Sequence, residues 1–202
     1  MSFYYVIGVQ AGLTQAQMEN NADIIYQYFS SYGVTLECIC GMLGNWQKES
    51  TLNPGCKQGL AENDRNIGWG LIQWSPASVL TNWCRQYNYN WYDGYAQCYR
   101  VWCEGTEQLG AGGVWLPDYQ HGYTYTWNEF ISLTDVNEAV YAWLYERGRG
   151  VPETLDIEHR LLWANQWYEY FTGQPLPPTP PTPPSPSHRR HKMPLYMMLR
   201  KL

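Results

Sequence analysis

Two glycines three residues apart, Gly41 and Gly44, sit inside a stretch whose apolar residues recur at helical spacing, and they restrict the fold more than any other feature of the chain. Leu36, Ile39, Leu43 and Trp46 follow one another at intervals of three and four, so one buried helical face is predicted, with Thr35 as the N-cap. Each glycine costs about 1 kcal/mol of helix propensity relative to alanine. That cost is offset where a second helix must approach closely, so the stretch reads as a helix built to be packed against. Its end is marked by Ser50, Thr51, Asn53 and Pro54.

Glu49 falls in the last turn of this helix, three residues beyond Trp46. The partial negative charge of a helix C-terminus favours a protonated carboxyl, and burial against Trp46 and the aromatic residues downstream would act in the same direction. A carboxyl that keeps its proton near neutral pH suits a general acid that protonates a departing sugar oxygen. The plain alternative is a solvated glutamate at a helix end.

After the Pro54-Gly55 turn comes a polar loop with Glu62, Asp64 and Asn66, then IGWGLIQW from 67 to 74, read as a small β-hairpin. Trp69 and Trp74 would divide between cleft and core by strand alternation. An acid at a helix end, spare carboxylates on a loop and indole faces on a hairpin together describe a saccharide cleft.

CGMLGNWQKESTLNPG and GWGLIQWSPAS closely resemble the phage tail lysozyme family, and WLYERGRG (143–150) and LLWANQWYEYF (161–171) resemble two later segments of that family, in the same order. The resemblance covers about residues 13 to 173. It implies a mostly α (α+β) lysozyme-like fold with a small β-hairpin lobe beside the catalytic helix. It also implies cleavage of the β-1,4 glycan backbone of peptidoglycan, with Glu49 as the catalytic acid. Asp64 or Glu62 is the possible second carboxylate, and Gln73, Trp69 and Asn45 are candidate substrate contacts, although Gln73 fits hairpin support equally well. Neither cofactor nor metal is expected. Two alternatives stay open: a lytic transglycosylase giving anhydro products, and a non-catalytic glycan-binding tail protein. The implied partners are peptidoglycan and other tail or virion proteins, in a protein carried at the phage tail tip.

Composition bears on the same question. Of 33 aromatic residues, 11 are Trp and 18 Tyr, amphipathic rings that tolerate a wet surface and stack on carbohydrate. The net charge is −5, yet five of the 13 Lys and Arg fall in residues 188–202; the remaining 8, against 18 Asp and Glu, leave about −10 on the rest. Such a domain is a poor partner for nucleic acid or anionic wall polymers, so delivery by a virion is expected in place of electrostatic adsorption. The first twelve residues have neither the basic flank nor the apolar core of a signal peptide. The six cysteines show no zinc-type spacing and are expected as free thiols, with a Cys98–Cys103 bridge or a bridge to Cys56 as the alternative.

The predicted order is an N-terminal extension (1–12), the lysozyme-like domain (13–173), a Pro-rich linker (174–187) and a basic, apolar tail (188–202) expected to be disordered, with membrane contact as a lesser option. As polyproline II the linker would span about 40 Å. Within the domain, helices are predicted over 14–32 with Thr14 as cap, from Pro76 with Ser75 as cap, over 95–109, over 127–133 and 135–147 with Thr126 and Thr134 as caps, and from Asp156 to Gly173. The ring-rich segment 110–126 is read either as a second wall of the cleft or as packing over the core. Glu146 and Arg147 are read as a structural ion pair.

Overall fold

The computed structural model describes residues 1–108, 115–148 and 156–174. The fold is mostly helical with one small sheet, as the sequence predicts. The elements in order are β1 (Gly8–Val9), α1 (Gln15–Ser30), α2 (Leu36–Ser50), β2 (Cys56–Lys57), α3 (Ser78–Gln86), α4 (Gly94–Gly105), α5 (Trp127–Phe130), α6 (Val136–Ala142), a π-helical turn (Trp143–Gly148) and α7 (Ile157–Thr172). The predicted linker and tail, 174–187 and 188–202, lie outside the described residues apart from Gln174.

Helix starts follow local chemistry. Thr14 and Gln17 form a reciprocal capping box at α1, and Thr126 and Glu129 do the same at α5. Thr35 accepts the backbone N–H of Cys38 at 3.3 Å and donates its hydroxyl to the Leu133 carbonyl at 2.6 Å, so one side chain both starts α2 and ties it to the segment before α6. Two predicted caps are displaced. Ser75 donates to the Arg65 carbonyl instead, and α3 begins at Ser78. At α6 the cap is Asp135, not Thr134, because its carboxylate accepts two N–H groups, from Asn137 and Glu138.

α2 is the axis of the fold. Its spacing predicts one buried face, yet every residue from Cys38 to Trp46 is buried, because α1, α6 and α7 close around it. The two glycines explain how. A Cβ on Gly41 would lie 2.7 Å from the Ala139 Cβ of α6, and one on Gly44 would lie 2.4 Å from the Arg160 carbonyl oxygen of α7. Gly41 therefore admits α6 and Gly44 admits α7, each with backbone against backbone.

The β lobe is smaller and wider than a hairpin. β1 and β2 pair in parallel, with Gly8 opposite Cys56 and Val9 opposite Lys57, and single antiparallel bridges join Lys57 to Trp69 and Trp69 to Trp74. Residues 1–12, expected as an extension, are woven into the domain by two buried asparagines. Asn21 exchanges 2.8 Å hydrogen bonds with both backbone groups of Tyr4, and Asn53 uses its amide groups on Val6, Ala11 and Gly55.

Candidate active site

Glu49 stands at the open end of α2, with its side chain 34% exposed. The apolar burial expected for it is absent: Trp46 is enclosed in the core, while the Glu49 carboxyl meets a cation. Arg160 of α7 places Nη2 at 2.6 Å from Glu49 Oε1. The guanidinium is itself buried, 6% exposed, and its Nη1 reaches the Asn45 backbone oxygen at 3.2 Å and Asn45 Oδ1 at 3.1 Å. A guanidinium held at both nitrogens is a rigid fork. One oxygen of Glu49 is thereby fixed in position, and no hydrogen bond to the other is found among the described residues.

Asn45, a candidate substrate contact, is fully buried and is part of this support. Its Nδ2 donates to the carbonyls of Gly41 (2.8 Å) and Val140 (3.2 Å), which leaves Oδ1 for Arg160. The residue after the acid has a comparable task. Buried Ser50 donates to the Trp46 and Leu71 carbonyls at 3.2 and 2.9 Å, pinning the helix end to the β lobe. Glu49 also faces that lobe. The Cys56 thiol of β2 is pushed up by burial first and by the nearby Glu49 charge second.

The tryptophans of the lobe are both inside it. Trp69 and Trp74 exchange backbone hydrogen bonds of 3.3 and 3.0 Å as a directly opposed pair, so alternation along one strand does not separate them. The Trp69 indole donates to the Gly59 carbonyl and carries the Lys57 ammonium 3.9 Å above its ring. Trp74 donates to buried Glu104 at 2.7 Å. Gln73, at φ +53, donates its amide to the Gly70 carbonyl at 2.8 Å, which is hairpin support. Gln97 of α4, which sequence reasoning missed, braces the same turn by accepting from the Leu71 N–H at 2.7 Å.

The two loop carboxylates differ. Glu62 accepts from the Thr81 hydroxyl and pairs with Arg85 at 2.8 Å, and these contacts, Thr81 first, hold its carboxyl below the usual range. Asp64 is exposed; its Oδ1 accepts the Asn66 N–H at 2.9 Å in a local turn. Neither bonds to Glu49 among the described residues.

The predicted Glu146–Arg147 pair is half found. Arg147 reaches across to Glu104 of α4 at 2.7 Å. Glu146 is fully buried with no well-formed hydrogen bond at either oxygen among the described residues, and burial pushes its carboxyl up to about 8, with the nearby Tyr125 backbone N–H pulling weakly the other way. The folded protein thus holds a proton that an unfolded glutamate releases near its ordinary 4.5. The stability this contributes is complete below that pH and is lost as the pH climbs through about 8. Urea midpoints are expected to fall between about pH 5 and pH 8, and Glu146→Gln is expected to flatten that fall. An equal slope in the variant would place the titration elsewhere.

All six cysteines are buried free thiols, with Cys38 and Cys84 pushed up to about 11 by burial. Among the described residues no group of His, Cys, Asp and Glu is arranged to hold a metal, and no helix is long and apolar enough to cross a membrane.

Residues 20–171 match the family model described as phage tail lysozyme, a span that contains α2, the β lobe from β2 onward and Arg160. The chain belongs to the phage tail lysozyme family. A 73-residue stretch of this chain is 48% identical to Morphogenesis protein 1 of Bacillus phage B103. That stretch is 36% of the chain and only 20% of the relative, so the chain spans a small part of the curated protein it matches.

Proposed function

We propose that this tail lysozyme cuts the β-1,4 bond between N-acetylmuramic acid and N-acetylglucosamine in peptidoglycan, with Glu49 as general acid, so that a phage tail can cross the host wall. The observation that carries the reading is the Glu49 carboxyl itself. It stands at the end of a helix buried throughout from Cys38 to Trp46, open to solvent on one side and anchored on the other by a buried guanidinium. Such a group can present one oxygen to a substrate while the other stays fixed. In the reaction, the proton on the free oxygen passes to the glycosidic oxygen as the C1–O bond breaks, and water then adds to C1 after giving up a proton to a carboxylate. Asp64 is the less engaged of the two candidates for that second task, because Glu62 is committed to Thr81 and Arg85.

That commitment also favours one other reading. A lytic transglycosylase closes an anhydro ring with the sugar's own hydroxyl and needs no second carboxylate to activate water. Mass spectrometry of fragments from purified peptidoglycan separates the two. Hydrolysis is expected to give fragments that have gained one water per bond cut. Fragments lighter than these by one water would establish the transglycosylase. Retention of the protein on peptidoglycan with no fragment at all would leave a glycan-binding tail protein.

A further inference from the structure

Away from Glu49, the turn between Asp118 and Tyr123 has a construction that folding alone does not explain. Asp118 and Tyr123 exchange backbone hydrogen bonds of 2.6 and 3.0 Å, with Gly122 at φ +81 inside the turn. The Asp118 carboxylate is used completely: Oδ1 accepts the N–H groups of Gln120 and His121 at 2.9 and 3.1 Å, and Oδ2 lies 2.7 Å from His121 Nδ1. With Nδ1 committed to the carboxylate, Nε2 is the ring nitrogen left to meet a ligand. The ring is also clamped flat on Tyr145, centroid to centroid 4.3 Å at 17°, and Tyr123 stacks on Tyr145 at 5.1 Å. Tyr119, by contrast, stands 80% exposed at the tip of this rigid turn. Beside it opens a depression of about 480 Å³, walled by Leu116, Tyr119, Gln120, His121 and Tyr145.

Helix register fixes which end of the molecule this is. α2 and α6 run side by side in the same direction, since Thr35 meets Leu133, Gly41 meets Ala139 and Trp46 meets Trp143. The last turn of α2, with Glu49, and the segment following α6, with Tyr145, therefore lie at the same end of the helical layer. Of the predicted ring-rich segment, residues 110–114 lie outside the described residues; Trp115 packs on Phe130 and Trp143 in the core, and Leu116, Tyr119 and Gln120 are exposed.

We infer that this depression is a saccharide subsite, holding a stretch of N-acetylated β-1,4 glycan outside the cleavage position, with the Tyr119 ring against a sugar face and Gln120 and His121 bonded to its polar groups. An exposed phenol ring on a hydrogen-bonded turn offers stacking surface, and the two polar side chains supply hydrogen-bonding groups for hydroxyl and acetamido groups. The net negative charge of the domain disfavours an anionic ligand there. This assignment rests on the reading of the protein as a glycan-cutting enzyme.

The test is calorimetric titration of the β-1,4-linked hexamer of N-acetylglucosamine into the full chain carrying Glu49→Gln. Adding Tyr119→Ala is expected to raise Kd about 2- to 10-fold, and Tyr119→Phe, which keeps the ring face, is expected to hold it near the starting value. Equal Kd with and without Tyr119→Ala, or no binding of the hexamer at all, would overturn the subsite. Because the readout is binding by a chain whose acid is already removed, it decides the subsite independently of whether Glu49→Gln abolishes cleavage.

Discussion

Glu49→Gln is expected to slow release of fragments from peptidoglycan by about 10²- to 10⁴-fold, the usual worth of a positioned general acid. Glutamine keeps the length of the side chain, and its amide oxygen can still accept from Arg160 Nη2, so the change removes the transferable proton while leaving α2 and α7 in register. It also puts an amide where a carboxyl faced a buried guanidinium. Asn45 still satisfies the other arm of Arg160, and the Glu49 side chain is a third exposed, so a modest loss of Tm is expected, not unfolding. Glu49→Asp supplies the complement. It keeps a carboxyl facing Arg160 but withdraws it by one methylene, and wild-type Tm is expected with activity still reduced at least about tenfold, because proton transfer depends on reach. An aspartate variant with full activity would mean that the site needs a charge here and not an acid in a fixed place.

Gly44→Ala is expected to damage stability and activity together. The added methyl would sit 2.4 Å from the Arg160 carbonyl oxygen and 2.8 Å from the Ala164 backbone nitrogen, and neither is the end of a flexible side chain. Alanine recovers up to about 1 kcal/mol of helix propensity. Against this, forcing a methyl between two backbones costs about 1–3 kcal/mol or more. Backbone contacts this short place the cost at the upper end, so destabilisation wins, readable as a Tm lower by about 2–4 °C for each kcal/mol. The residue displaced is Arg160 itself. As α7 backs away, the anchor of Glu49 goes with it, and kcat is expected to fall even well below the new Tm. Gly41→Ala is the control. It strikes Ala139 and Val140 of α6 at 2.7 and 3.0 Å, which reach Arg160 only through Asn45, so stability is expected to drop with a smaller loss of activity in the folded protein than for Gly44→Ala. Equal losses of activity in the two variants would break the link between the glycine contact and the acid.

Both sets of variants act on features that differ in how far the sequence discloses them. The helix starts at Thr14, Thr35 and Thr126 are legible because a cap and its N–H partners lie within three residues of each other. The close approach at Gly41 and Gly44 is legible because glycine inside an apolar helix costs stability unless two backbones must meet there. Arg160 is not legible, since 111 residues separate it from Glu49 and nothing in HRLLWANQW marks one arginine as the partner of a distant acid. Burial is misjudged for the same reason. Glu49 is expected among aromatic residues and meets an arginine, whereas Glu146, read as half of an ion pair, is the carboxyl that desolvation keeps protonated. Trp69 and Trp74 look like cleft residues in a linear string, yet their cross-turn pairing turns both inward onto Gly59 and Glu104. The weaving of residues 1–12 into the domain depends on two asparagine amides, Asn21 and Asn53, a kind of contact that carries no periodicity.

The most direct measurement is the rate at which glycan fragments leave insoluble, purified peptidoglycan, followed by mass for the wild-type chain and Glu49→Gln at a temperature where both have the same circular dichroism spectrum. The account predicts steady fragment release by the wild type and none above background by the variant. Equal release by the two would show that the Glu49 carboxyl is not the group that cuts the glycan.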